Sequence, residues 1–359
     1  MHRRLFLQTL CTMGAVTVLS PSAYCTQGST GTTANSRPVL NFSDIPTWVG
    51  DIPKIGLVAV GVMGSALFTN PQWNIPYLST GIAIDTRSIC LRDIRTDIKI
   101  QVGDGNSLPV NAHEARLRAL AAMPEISNAV AQLDIVLLVV EMDDIDGAGI
   151  APVIAQVLRE QKILTLAVSA MPSYFNAMSH RAKQTALAGV EQLRMRVDAL
   201  IQLSSNDIER AAGPNASLSS LLNQLPLAFI QLSRSIVNSV CGHDEIGIDL
   251  DDFQHMLSEK GDCRFGFASA SLADGVRAAA HRAINHTFLG CDRLLAASAV
   301  LVSIESPKRA LLLRESQAVF RLIRGEMATG AQLHYTSTAN KDAAGKFKVS
   351  IVANGIRRA

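Results

Sequence analysis

Two glycine turns carry the residue types best able to do chemistry. The first, Gly61-Val-Met-Gly64-Ser65, interrupts the apolar run Lys54 to Val60 and passes into Ala66, Leu67 and Phe68. The second lies in EMDDIDGAGIAP, residues 141–152, directly after the apolar run Asp134 to Val140. A glycine turn that opens a helix behind a buried strand offers bare backbone N–H groups and a helix N-terminus to an anion, an arrangement suited to phosphate. This one also carries Glu141, Asp143, Asp144 and Asp146. A carboxylate about 5 Å from a phosphate charge is repelled by roughly 3 kcal/mol at an effective dielectric of about 20. A helix N-terminus attracts an anion by only about 0.3–2 kcal/mol. The acids therefore oppose phosphate, and two other roles suit them. Asp146 or a neighbour can cap a helix starting near Pro152, or Asp143, Asp144 and Asp146 can hold a divalent cation. The cap is the expected role, and no metal site is assigned.

The first turn also approximates a dinucleotide fingerprint, Ala59-x-Gly61-x-x-Gly64 after a strand, with Asp85 ending the next strand. Ala59 stands where the first glycine belongs, so an NAD(P)-dependent enzyme is the weaker reading of this turn.

Strand-like runs at 54–60, 81–85, 134–140, 163–168 and 197–203 alternate with helical patterns near 112–122, 152–159 and 181–196. That alternation implies a doubly wound, mainly parallel sheet covered on both faces. A long apolar helix is expected over 216–240, kinked or broken at Pro226. Beyond it, helices near 250–260, 272–285 and 316–324 mix with strands at 299–304, 331–338 and 347–353, which implies a smaller mixed α/β domain. The division expected is 51–240 for the nucleotide-binding-type domain including the central helix, and 241–359 for the C-terminal domain.

The 359 residues are 48% hydrophobic and 18% charged with a net charge of +2, and no concentrated basic face argues for nucleic acid. Residues 1–25 carry Arg3-Arg4, then Leu5-Phe6-Leu7 and an uncharged, mostly apolar run to Ala23, similar to a twin-arginine export signal. That run is too short and too polar for a stable membrane span. Residues 26–50, rich in Ser, Thr, Gly, Asn and Pro, read as a linker. Export to the periplasm is expected, with a cytoplasmic location as the alternative. Cys90, Cys241, Cys263 and Cys291 show no metal spacing and are expected as buried thiols, with a disulfide as the alternative only if the protein is exported.

Several strings, in order, resemble the bacterial tubulin homologue FtsZ over Lys54 to Ile356. They are Gly149-Ile-Ala-Pro152-Val, Lys162-Ile-Leu-Thr-Leu-Ala-Val168, and Gly189-Val190 with Leu193 and Val197-Asp-Ala-Leu-Ile201. Asn206-Asp207, Asp249-x-x-Asp252, Ser258-Glu-Lys-Gly261 and Lys348-Val-Ser-Ile-Val-Ala-Asn-Gly-Ile356 complete the set. The resemblance implies a tubulin/FtsZ-like fold of two α/β domains joined by a long central helix, with GTP as cofactor. It places Gly61, Gly64, Ser65, Gly147, Gly149 and Asn206 at the nucleotide, and Asp249 and Asp252 as the acids that one subunit donates to the GTP of the next.

Carried over residue by residue, the match is uneven. The family's G-G-G-T-G-T-G loop falls on Asp143 to Gly149, where only Gly147 and Gly149 remain. Val62 and Met63 separate the glycines of the first loop. The segment that closes over the nucleotide shortens to Asp104 to Pro109, and the family's F-E-G falls on Phe175-Asn176-Ala177. The Asn-Asp pair that reads guanine falls on Phe229-Ile230, which cannot hydrogen-bond a base. Asp249 can equally cap the helix that follows it, with Asp252 in its first turn.

The expectation is therefore an FtsZ-like protein with weakened or lost GTP binding, acting as an association or scaffold module through self-association or another FtsZ-like subunit. The alternative is a GTP-binding paralogue that forms filaments, hydrolyses GTP and serves cell division. The chain ends at Ala359 just beyond the last strand, so the family's anchor-binding C-terminal peptide is not expected. Replacing Arg3 and Arg4 with Lys is expected to leave full-length precursor in the cytoplasm, which fractionation of expressing cells checks.

Overall fold

A computed structural model describes residues 52–356, apart from positions 106, 143, 172–178, 243–245, 260, 291–292, 308–310 and 341–344. The export signal, the linker, Asp143, Phe175–Ala177 and Cys291 lie outside the described residues.

The first half runs β1 (Ile55–Val60), α1 (Val62–Phe68), β2 (Thr80–Asp85), α2 (Ser88–Arg92), β3 (Ile98–Gln101), α3 (Ala112–Ala121), α4 (Met123–Val130), β4 (Ile135–Glu141) and α5 (Ile145–Glu160). It continues through β5 (Leu164–Ala170), α6 (His180–Arg194), β6 (Ala199–Leu203), α7 (Ser205–Ala212) and α8 (Leu218–Cys241). The second half runs α9 (Leu250–Ser258), β7 (Asp262–Ser271), α10 (Gly275–Ile284), α11 (Arg293–Ala296), β8 (Ala299–Pro307), α12 (Leu313–Gly325), β9 (Gln332–Asn340) and β10 (Lys346–Ile356).

The strands lie in the order β3-β2-β1-β4-β5-β6-β7-β10-β8-β9. The first six are parallel, and β1, IGLVAV, is buried along its whole length, as a strand covered on both faces must be. In the second half β10 pairs antiparallel with β7 and β8, and β9 runs parallel to β8. Between the two halves the ladder thins to a single parallel pair, Ile201 with Cys263.

Continuity across that thin joint comes from α8. Phe229, Ile230, Ile236 and Val237 share one core with Leu57, Leu137 and Leu166 of the parallel sheet and with Phe265, Leu301 and Val352 of the second. The helix runs unbroken through Pro226, so of the kink or break expected there the break does not occur. Pro226 is buried like its neighbours in this core helix, so packing along its length holds it together despite one lost backbone bond.

Two other expectations need correction. Helix α5 begins at Ile145, not near Pro152, so the glycine turn forms its first turn rather than a loop before it. Strand β7 falls where no element was expected, because Gly266 and the small residues after it dilute the strand signal. Gly266 is needed there: a Cβ would lie 2.5 Å from the Ala283 carbonyl oxygen of α10.

Truncating Phe229, which is 1% exposed in the core shared by both halves, is expected to cost about 3–5 kcal/mol. Urea unfolding of Phe229→Ala followed by circular dichroism checks it.

Candidate functional site

The C-terminal ends of β1, β2 and β4 meet the N-termini of α1 and α5, where sequence patterning places the phosphate cradle. A carboxylate from the chain itself fills that space. Asp144, in extended conformation, is the N-cap of α5, its side chain accepting from the Asp146 backbone N–H at 3.4 Å. Its other oxygen, Oδ2, accepts from the Val62 N–H at 3.4 Å, at the start of α1. The same oxygen receives Arg87 Nη2 at 3.0 Å. Gly61 has φ +66°, and a Cβ on it would lie 2.6 Å from Asp144 Oδ2. The first turn thus needs glycine for its left-handed backbone and for the room it leaves to Asp144. Gly64 lies within the first turn of α1, followed by Ser65.

Arg87 is held in place from behind. Its Nε and Nη2 donate to the two oxygens of Asp85 at 2.9 and 3.1 Å, a paired geometry that fixes the guanidinium plane, and its backbone N–H donates to Asp85 Oδ1 at 2.7 Å. Asp85 is 1% exposed. The Asp85 hydrogen bond first, and then the Asp144 and Asp85 charges, raise the pKa of Arg87 against its partial burial.

The third acid turns to the residue that follows β2 at the same end of the sheet. Asp146 is 2% exposed, and its Oδ2 accepts from the Thr86 N–H at 3.0 Å and the Thr86 hydroxyl at 2.7 Å. Burial pushes its carboxyl up to about 6, the Thr86 hydrogen bonds work against that, and Asp144 and Asp85 add repulsion. One guanidinium therefore serves two of the three neighbouring acids, Asp85 and Asp144, while Asp146 is held by Thr86. Among the described residues no group of three or more His, Cys, Asp or Glu is placed to hold a metal ion. Of the three acids in the divalent-cation alternative, Asp144 is taken by Arg87 and Asp146 by Thr86, and Asp143 lies outside the described residues.

The two glycines retained in the second turn have packing roles. A Cβ on Gly147 would collide with the Glu141 carbonyl at the end of β4, and one on Gly149 would lie 2.5 Å from the Ala112 carbonyl oxygen of α3. Both are buried and bring α5 close to its neighbours.

The remaining predicted residues lie apart from the cradle. Asp249 caps α9, its Oδ1 accepting from the Asp252 N–H at 2.7 Å. Leu250 and Gln254 of the same helix line a cavity with Asp134, Leu164 and Asp198, at the N-terminal ends of β4, β5 and β6. The Asp249/Asp252 pair thus sits at the opposite edge of the parallel sheet from the cradle, and one chain cannot bring both to one phosphate. Asn206 is exposed in the first turn of α7, and its carbonyl accepts from Arg210 at 3.3 Å. Its neighbour Asp207 forms a reciprocal cap with Ser204 and ion pairs with Arg210 and Arg264 at 2.7 and 3.5 Å. Burial pushes the Asp207 carboxyl up, but Ser204, Arg210 and Arg264 outweigh it and hold it below the ordinary range. Cys241 and Cys263 are buried free thiols, pushed by burial up to about 11 and about 12.

The Tubulin/FtsZ family GTPase-domain model matches residues 64–213, and the FtsZ family C-terminal-domain model matches residues 261–357. The chain belongs to the tubulin/FtsZ family. It is 28% identical over 308 residues to the cell division protein FtsZ of Rickettsia bellii, covering 85% of this chain and 67% of that one. It is 26% identical over 308 residues to FtsZ of Magnetospirillum gryphiswaldense, covering 85% and 54%. The chain thus spans between about half and two thirds of these relatives' length. Among solved structures, an empty FtsZ dimer from M. jannaschii shares the fold at a TM-score of 0.76 and 21% identity, covering 85% of this chain and 88% of that one. CetZ2 from Haloferax volcanii, solved as a GTPγS-bound protofilament, shares it at 0.69 and 16%, covering 85% and 94%.

Set on this FtsZ-like frame, the segment aligned with the family's glycine loop is the cap and first turn of α5, and Phe229-Ile230, aligned with its base-reading pair, are 1% and 0% exposed. Sequence patterning missed Thr86 and Arg87. The available signal was an arginine directly after the acid that ends β2, facing a turn with a surplus of negative charge.

Because Asp146 titrates higher folded than the ordinary aspartate value near about 3.9, the native state binds the extra proton. Its stabilising contribution is full below about pH 4 and is lost as pH rises through about 6, by on the order of 3 kcal/mol. Asp146→Asn, which keeps an acceptor for Thr86, is expected to flatten that slope and raise the melting temperature at pH 7.5. Melting curves of both proteins from pH 4 to 8 check it.

Proposed function

We propose that this protein is an FtsZ-family association module that has given up GTP binding. The observation that carries this reading is the Asp144 carboxylate in the amide-lined space between α1 and α5, ion-paired with Arg87. A phosphate entering there has to displace a tethered anion, break its ion pair, and then meet Asp85, Asp144 and Asp146 as neighbours. The base side offers no compensation, since Phe229 and Ile230 belong to the core. With the cradle filled from within, the loops at the ends of β1, β2 and β4 are fastened together without a ligand. Association through this fold then has no need of nucleotide. The partner in this reading is a second copy or another FtsZ-like subunit, and the chain is exported through its twin-arginine segment to a compartment poor in GTP.

Calorimetric titration of the full chain with GTP and Mg²⁺ is expected to give no binding up to about millimolar nucleotide, with the same sedimentation profile with and without GTP. Micromolar affinity, or GTP turnover that rises with protein concentration and disappears in Asp249→Ala, would instead support the GTP-dependent filament protein.

A further inference from the structure

At the edge of the sheet opposite the cradle, the loop before β2 and the loop before β3 enclose a cavity of about 430 Å³ lined by Trp73, Ile75, Leu78, Gly81, Arg95, Thr96, Asp97 and Asn74. None of these residues has a part in the cradle, and the cavity lies within the size range of small-molecule sites. We propose that it binds a free α-amino acid with an apolar side chain.

Its walls divide by chemistry. The indole of Trp73 stands edge-on against Phe68, ring centroids 4.7 Å apart, and with Ile75 and Leu78 forms an apolar side. That wall is tied down from α8, where Arg234 Nη2 donates to the Asn74 carbonyl at 2.7 Å and the Gln72 carbonyl at 3.3 Å. Tyr77, in the same loop, takes φ +64°, a strained backbone for a non-glycine residue that a close-fitting loop can enforce.

The opposite side carries one charge of each sign. Arg95 is exposed and makes no hydrogen bond or ion pair among the described residues. Asp97 accepts from the Gly81 N–H at 2.7 Å through Oδ2, which orients the carboxylate and leaves its other oxygen for a second donor. Both line the cavity, yet they form no ion pair with each other. A zwitterion matches this arrangement: its carboxylate meets the guanidinium, its ammonium meets Asp97, and its side chain lies against Trp73. A purely anionic or purely cationic ligand would bring one like charge close and gain less.

A Cβ on Gly81 would lie 2.8 Å from Thr96 Oγ1 and 3.0 Å from the Phe68 ring, so glycine lets Thr96 and Phe68 close in on the start of β2. Thr96 Oγ1 itself is buried without a hydrogen-bond partner. A polar ligand atom that reached it would relieve that cost.

The chain has two tryptophans, Trp48 and Trp73, so Trp48→Phe leaves Trp73 as the single indole reporter. Titrated with L-leucine, this full-length protein is expected to show a saturable fluorescence change, with amide shifts at Gly81 and Asp97 in a parallel NMR titration. Leucinamide, which lacks the carboxylate, and N-acetyl-leucine, which lacks the ammonium, are each expected to bind at least about tenfold more weakly. Arg95→Gln, at an exposed position that leaves the core intact, is expected to weaken L-leucine by a similar factor. The proposal is overturned if L-leucine gives no saturable change up to about 10 mM. It is also overturned if either analogue binds as well as leucine, or if Arg95→Gln leaves the affinity unchanged. None of these outcomes bears on GTP, so failure here and failure of the cradle reading are separate results.

Discussion

The arrangement of the nucleotide end depends on the guanidinium of Arg87. Three acids, Asp85, Asp144 and Asp146, lie together, the first and last buried and Asp144 partly exposed, and without a cation their mutual repulsion would oppose the packing of the β2, β4 and α5 ends. Arg87 binds Asp85 with two donors and reaches Asp144 with one, so a single planar group links the end of β2 to the cap of α5. Asp146 is left for Thr86, and its burial, with the Asp144 and Asp85 charges adding to it, makes it keep a proton to a higher pH. Asp144, held by Arg87 on one side, is thereby placed where the amides of α1 and α5 converge.

The same geometry reassigns residues that would pass for remnants of a phosphate site. Gly61 accommodates Asp144 as well as a left-handed turn, and Gly147 and Gly149 let α5 approach β4 and α3. These glycines are required by the present packing whether or not a nucleotide ever enters. Retained glycines in a nucleotide fold are therefore weak evidence of retained nucleotide binding. The identity of the atoms occupying the turn is stronger evidence, because a tethered anion competes at an effective concentration that a free ligand has to exceed.

Much of the fold was legible from pattern alone, because buried parallel strands such as Ile55–Val60 and Ile135–Glu141 are unbroken apolar runs and α8 has long helical periodicity. The boundary of α5 was not. Two glycines and Pro152 carry local signals for a turn, and tertiary contact with β4 and α3 overrides them. Strand β7 was hidden for a related reason, its mid-strand Gly266 being there for α10. For the site, the surplus of acids and a capping role within it were legible, since capping depends on near neighbours in sequence. The identity of the cap, Asp144, and the contact with Arg87, 57 positions away, were not, because sequence periodicity records which face a residue takes and not which distant side chain it meets.

The central claim is that the cradle's backbone donors are already occupied by the chain's own carboxylates. The backbone amides of Val62 and Thr86, which donate to Asp144 and Asp146, report on it directly in a ¹H–¹⁵N NMR titration with GTP and Mg²⁺. Unchanged resonances at both positions up to about millimolar GTP are the predicted result. Saturable shifts of Val62 and Thr86 as GTP is added would show that nucleotide displaces the carboxylates, and would contradict the account.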